Sequence, residues 1–204
     1  MDVREYLQDP CGKLSVPYWK AASMVMPGDV KIVHCTEWNG QYENYRRFFR
    51  LRHDLKDLAP IDFDCDTISM DYQAAELAEM INASYEDQGI TVSVSDIMGW
   101  KERPTFREQL CVYINAEGGR MAASGLAEYD EVCREGSIEW LQVIPEYRRR
   151  GLGKKIVSVL LSRLRDMGAG FATVSGDLDS RSEPLRLYRK CGFAGDDVWY
   201  ICRV

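Results

Sequence analysis

Histidine is almost absent from this chain: His34 and His53 are the only two in 204 residues. The seven cysteines never fall at Cys-x-x-Cys spacing, so no donor set resembles a zinc site. Their odd number, and the placement of several inside expected strands, suits reduced, buried thiols rather than a disulfide framework. No apolar run approaches the roughly 20 residues that cross a bilayer. The start, Met1-Asp2-Val3-Arg4-Glu5, lacks the pattern of a signal peptide, so the expectation is a cytoplasmic protein with no membrane partner. Internal repeats and low-complexity linkers are missing as well. What is present is a 46% hydrophobic composition, enough in 204 residues for one full core plus an accessory segment. A formal charge of −6, with no basic stripe, argues against a nucleic-acid partner.

The basic side chains gather in one place, Arg148-Arg149-Arg150-Gly151-Leu152-Gly153-Lys154-Lys155, between an expected strand and an expected helix. Two glycines let backbone approach an anion, and the free amides and dipole of a helix start favour negative charge. A nucleoside-triphosphate loop would need a glycine where Arg148 stands and Ser or Thr where Lys155 stands. A dinucleotide fingerprint would need a small residue in place of Ile156. Neither fits, and Arg-x-x-Gly-x-Gly after a strand remains.

A second landmark follows about 35 residues after the glycine loop: Leu187-Tyr188-Arg189-Lys190-Cys191-Gly192-Phe193, in an expected short helix with a Ser182 cap and Pro184 in its first turn. The two motifs, in this order, resemble the GNAT superfamily of N-acetyltransferases over about residues 61–204, within a bacterial branch whose acceptors are largely unassigned. Residues 1–60 fall outside the match as an N-terminal accessory segment, which either covers the acceptor cleft or pads the fold. The resemblance implies an α/β (α+β) domain with three αβα layers around a central mixed sheet.

Periodicity agrees with that fold. Leu77, Met80, Ile81 and Tyr85 mark a helix; Ile97, Trp100 and Phe106 mark a less regular one broken by Pro104. Strands are expected at 110–114, 121–129, 138–144, 171–175 and 198–202, the first two joined by a hairpin loop at 115–120. Ile156, Val157, Leu160, Leu161, Leu164 and Met167 share one face of the helix after the glycine loop. In the first 60 residues the pattern predicts a strand at 30–34 and an amphipathic helix at 45–51. Asp62, Asp64 and Asp66 alternate with apolar residues as a half-buried strand; a calcium loop fails because Thr67 and Gln73 stand where glycine and glutamate are required.

The resemblance also assigns roles, with acetyl-CoA as co-substrate and a small-molecule or peptide amine as acceptor. Leu141, Gln142 and Val143 would hold the pantetheine arm, with a backbone N–H near Val143 facing the developing oxyanion. Arg148, Arg149, Arg150, Gly151, Leu152, Gly153 and Lys154 would hold its phosphates. Tyr188 would protonate the departing thiolate, since a phenol of pKa about 10 is neutral at pH 7; the competing reading is a core tyrosine whose hydroxyl meets a carbonyl. Glu139 is the candidate base, with Glu128 and Tyr129 as weaker alternatives. The chain departs from the family pattern at Arg181 and Pro184, where many members carry Asn and Ala, so the acceptor does not transfer. An alternative function is a non-catalytic acyl-CoA sensor or interaction module, and the sequence leaves room for a homodimer.

Overall fold

The computed structural model describes residues 1–63 and 65–204, with the side chain of Asp87 outside the description. Three short helices, α1 (Val3–Gln8), α2 (Pro10–Lys13) and α3 (Tyr18–Ser23), precede strands β1 (Val30–His34), β2 (Tyr45–His53) and β3 (Asp66–Thr67). Helices α4 (Met70–Ser84) and α5 (Val94–Trp100) lead to β4 (Cys111–Asn115), β5 (Met121–Asp130) and β6 (Glu135–Val143). Then come α6 (Leu152–Asp166), β7 (Phe171–Asp177), α7 (Pro184–Lys190) and β8 (Ala194–Arg203).

The eight strands form one sheet in the order β1-β8-β2-β7-β6-β5-β4-β3. Among the described residues only β6 and β7 run parallel, and α6 supplies the crossover that a parallel pair requires. On one face Leu77 and Ile81 of α4 and Ile97 and Trp100 of α5 pack with Leu126. On the other, Ile156, Leu160 and Leu164 of α6 pack with Val174, Tyr188 and Phe193. The result is the expected three-layer αβα arrangement around a mixed sheet.

Helix α6 sits close to the sheet because β5 offers it no side chain at Gly125. A Cβ there would lie 2.3 Å from Ile156 Cγ2. Gly125→Val is expected to lower stability by about 1–3 kcal/mol through overpacking. Urea unfolding checks it, and an unchanged midpoint would mean that α6 can move away freely.

Three local expectations are corrected. Residues 45–51 form strand β2, not a helix. Its basic residues imitate a polar helix face, but Arg50 is buried beside Phe49 and Leu51, and the strand is hydrogen-bonded to β8 and β7 on its two sides. Tertiary pairing overrides the local pattern. The acidic segment gives only the two-residue β3, paired with β4, while Arg163 of α6 donates to Thr67 Oγ1 and to the Cys65 and Gln109 carbonyls. Asp64 lies outside the described residues. Helix α7 is not capped by Ser182: its N-cap is Glu183 at φ +52°, and the Ser182 hydroxyl meets that of Ser180. Among the described residues no helix is long and apolar enough to cross a membrane.

Candidate active site

Strands β6 and β7 are paired only from Glu135↔Phe171 to Ile138↔Val174. Beyond that point β6 stays with β5 as far as Ala123↔Val143, and the parallel partners part. The opening between them leads into a cavity of about 740 Å³ bordered by the end of α4, the start of α6 and α7.

A β-bulge lies at the point of parting. Leu126 faces Trp140 and Ala127 faces Ile138, so Glu139 is the extra residue on β6. A bulge re-aims side chains. Trp140 stacks on Trp100 of α5 at 5.3 Å; Glu139 borders the cavity, and its carboxylate pairs with the Lys20 ammonium from α3.

Past the bulge the backbone alternates between two neighbours. Ile144 N–H donates to Ala122 of β5, and Gln142 stands opposite Ser124, to whose hydroxyl its side-chain amide donates. Leu141 and Val143 therefore turn their backbone groups the other way, towards the opening. The Leu141 carbonyl accepts from the Tyr85 hydroxyl at 2.7 Å, and the Val143 carbonyl from Arg148 Nε at 3.1 Å. Of the three residues singled out on this strand, two present backbone to the opening and Gln142 ties β6 to β5.

The glycine loop ends with Gly151 as N-cap of α6 at φ +82°, a conformation that glycine adopts without strain. The first intrahelical bond runs from Lys155 N–H to the Gly151 carbonyl, which leaves the amides of Leu152, Gly153 and Lys154 pointing out of the helix start. Gly153 has a packing reason too, since a Cβ there would come within 3.2 Å of Leu187 in α7.

The basic residues divide. Arg148 is committed to backbone, its Nη2 reaching the Ser84 carbonyl at 2.9 Å and its Nε that of Val143. Arg149, exposed, faces Glu183 at 3.6 Å. Arg150 lies over the Tyr147 ring and does not border the cavity, whereas Lys154 does. Arg181, Arg186 and Lys190 also border it. The last two were not singled out in the sequence, although their i, i+4 spacing on the Tyr188 helix was a legible signal.

Tyr188 is buried, with its ring against Phe49 and Phe193. It borders the cavity, and its hydroxyl has no hydrogen-bond partner among the described residues. Burial, then the neighbouring Tyr85 and Cys191, pushes its pKa far above the usual phenol value. The carbonyl-satisfied tyrosine is Tyr85 instead, whose pKa burial pushes up to about 12. Glu128 lies behind Glu139, bonded by Arg103 at 2.6 Å and Thr105 at 2.7 Å; burial, then Glu139, raises its pKa. Neither Glu128 nor Tyr129 borders the cavity.

A mixed αβα sheet parted at its parallel pair, with a glycine-led helix start at the opening, defines a domain suited to a long ligand carrying a phosphorylated end. The model of the acetyltransferase (GNAT) family matches residues 74–193, more than half of the chain, and the chain belongs to that family, whose members generally use acetyl-CoA. No curated protein matches it. The solved structures it resembles include a GCN5-related N-acetyltransferase from Sphaerobacter thermophilus, at TM-score 0.67 and 15% identity over 78% of this chain and 51% of that one. An acetyltransferase from the GNAT family from Colwellia psychrerythraea gives TM-score 0.62 and 14% identity over 84% and 64%. The ribosomal-protein-S18-alanine N-acetyltransferase from Escherichia coli gives 0.54 and 15% over 69% and 93%. The chain thus spans about half the length of the first and just under two thirds of the second.

Proposed function

We propose that the chain is an N-acetyltransferase that moves the acetyl group of acetyl-CoA to an amine acceptor, small molecule or peptide, by direct attack and without a covalent enzyme intermediate. The observation that carries this reading is the opening between β6 and β7, which leaves the backbone of Leu141 and Val143 facing a cavity that Tyr188 also borders. A thioester bound there supplies an activated acyl group. The amides of Leu152, Gly153 and Lys154 suit its pyrophosphate, with the Lys154, Arg181, Arg186 and Lys190 side chains around the same cavity. In this reading Leu141 and Val143 take the pantetheine amides, and the Val143 N–H faces the oxygen on which charge develops. Tyr188 gives its proton to the sulfur.

An alkyl amine of pKa about 10.4 reaches the site protonated, so a base is needed. Glu139 fits that role, because it is the bulge residue and borders the cavity. Glu139→Gln is expected to lower kcat/KM by about 10²–10⁴-fold at pH 7. The loss should shrink as pH rises towards the amine pKa, because free amine then arrives without help from the protein. A mutant-to-wild-type ratio that stays constant from pH 7 to 10 removes Glu139 as the base.

The defining experiment is mass detection of acetylated products from a panel of amines and peptides with acetyl-CoA, alongside calorimetry with CoA. Product supports the enzyme and names an acceptor class. Binding without product favours a sensor, and no binding overturns both readings.

A further inference from the structure

Where an acceptor ammonium would meet Glu139, the chain already holds one of its own. Lys20 reaches from α3 to the Glu139 carboxylate, whose side chain is only 10% exposed. The same ammonium lies 5.3 Å from the centre of the Trp19 ring, and Arg103 lies 5.7 Å from that ring. Arg103 in turn bonds Glu128 behind Glu139. A carboxylate and an indole face converging on one ammonium are the chemistry that recognises a primary alkylammonium.

Lys20 is not a permanent part of the wall, because its side chain is 32% exposed and can swing off Glu139 while Trp19 stays; it stands on the short helix α3. The helix has six residues, no side-chain cap at its start, and none of its residues is buried. Trp19 Nε1 is enclosed without a hydrogen-bond partner, so docking leaves a donor unsatisfied. Met24, Val25 and Met26 follow with much of their surface exposed. The helix is held at its first residue, where Tyr18 N–H donates to Glu135 at 3.2 Å, while Lys20 is held by Glu139.

We propose that the Glu139–Trp19 corner is the subsite for the ammonium group of a primary alkylamine acceptor, and that Lys20 is its built-in occupant, displaced when the acceptor binds. This rests on the acetyltransferase reading for its consequence in catalysis, but the subsite is defined by its own contacts. If Lys20 holds the carboxylate nine-tenths of the time, an incoming ammonium sees its affinity lowered about tenfold.

The test is calorimetric titration of n-butylammonium, with and without CoA, into the wild type, Lys20→Met, Lys20→Arg and the double variant Lys20→Met with Glu139→Gln. Lys20→Met is expected to bind about tenfold more tightly than wild type. Lys20→Arg, which keeps a cation on Glu139, should stay near wild type, and the double variant should lose the gain. The neutral 1-butanol should not distinguish the proteins. Binding by Lys20→Met that is equal to wild type or undetectable, or a gain that survives in the double variant, overturns the proposal. Lys20→Gln repeats the measurement should Lys20→Met melt early. CoA that fails to bind any of the proteins sinks the acetyltransferase reading, whereas the titration without CoA still decides the subsite.

Discussion

Tyr188→Phe is expected to bind CoA as the wild type does and to lose turnover by about 10²–10⁴-fold, the range for removing a positioned acid. The ring would remain between Phe49 and Phe193, so the packing of α7 against the sheet is kept. Only the hydroxyl goes, and it has no hydrogen-bond partner among the described residues, so no folded-state bond is lost with it. That separates chemistry from stability unusually well. Because burial raises the Tyr188 pKa, the phenol stays protonated further into the alkaline range than a free tyrosine. A loss of kcat that tracks Tyr188 near pH 10 would contradict this environment, and near-wild-type turnover in Tyr188→Phe would remove the residue from the mechanism.

The second large effect concerns stability. Arg50 on β2 and Glu135 on β6 form a fully enclosed ion pair, 3.1 Å apart. Glu135 also receives the hydroxyls of Tyr6 at 2.7 Å and Thr173 at 2.6 Å, and the Tyr18 amide. Strand β7 stands between β2 and β6 in the sheet, so the pair spans a neighbour and joins α1 and α3 to the same point. Glu135→Ala strands a buried guanidinium and is expected to cost about 3–5 kcal/mol in chemical unfolding. Replacing Arg50 and Glu135 together by apolar residues should cost much less, because no charge is left unpaired. A loss below about 1 kcal/mol in Glu135→Ala would mean that water reaches the vacated carboxylate position.

Much of this was legible in the sequence. The α4 and α6 faces, the hairpin of β4 and β5 and the glycine-led helix start all follow from spacing and turn chemistry, which act locally. Residues 45–51 misled because the burial of Arg50 depends on Glu135, 85 residues away, which no local periodicity encodes. At the site, the glycine loop and Tyr188 stood out as motifs. Lys20, Tyr85 and the bulge at Glu139 did not, since each acquires its place through a long-range contact: Lys20 with Glu139, Tyr85 with Leu141, and β6 with β5. Arg150, whose neighbours in the motif point to a phosphate ligand, lies over Tyr147 and does not border the cavity.

The position of β2 bears on how the chain assembles. It is made before its two partners, β7 and β8, with four other strands coming between. Until they arrive, β2 has no neighbour to pair with, and Phe49 waits without the sheet that buries it. Strands paired across so much sequence close slowly, and open edges invite other chains in the meantime. A version of the protein that lacks β7 and β8 would make that waiting state permanent, with both edges of β2 left open.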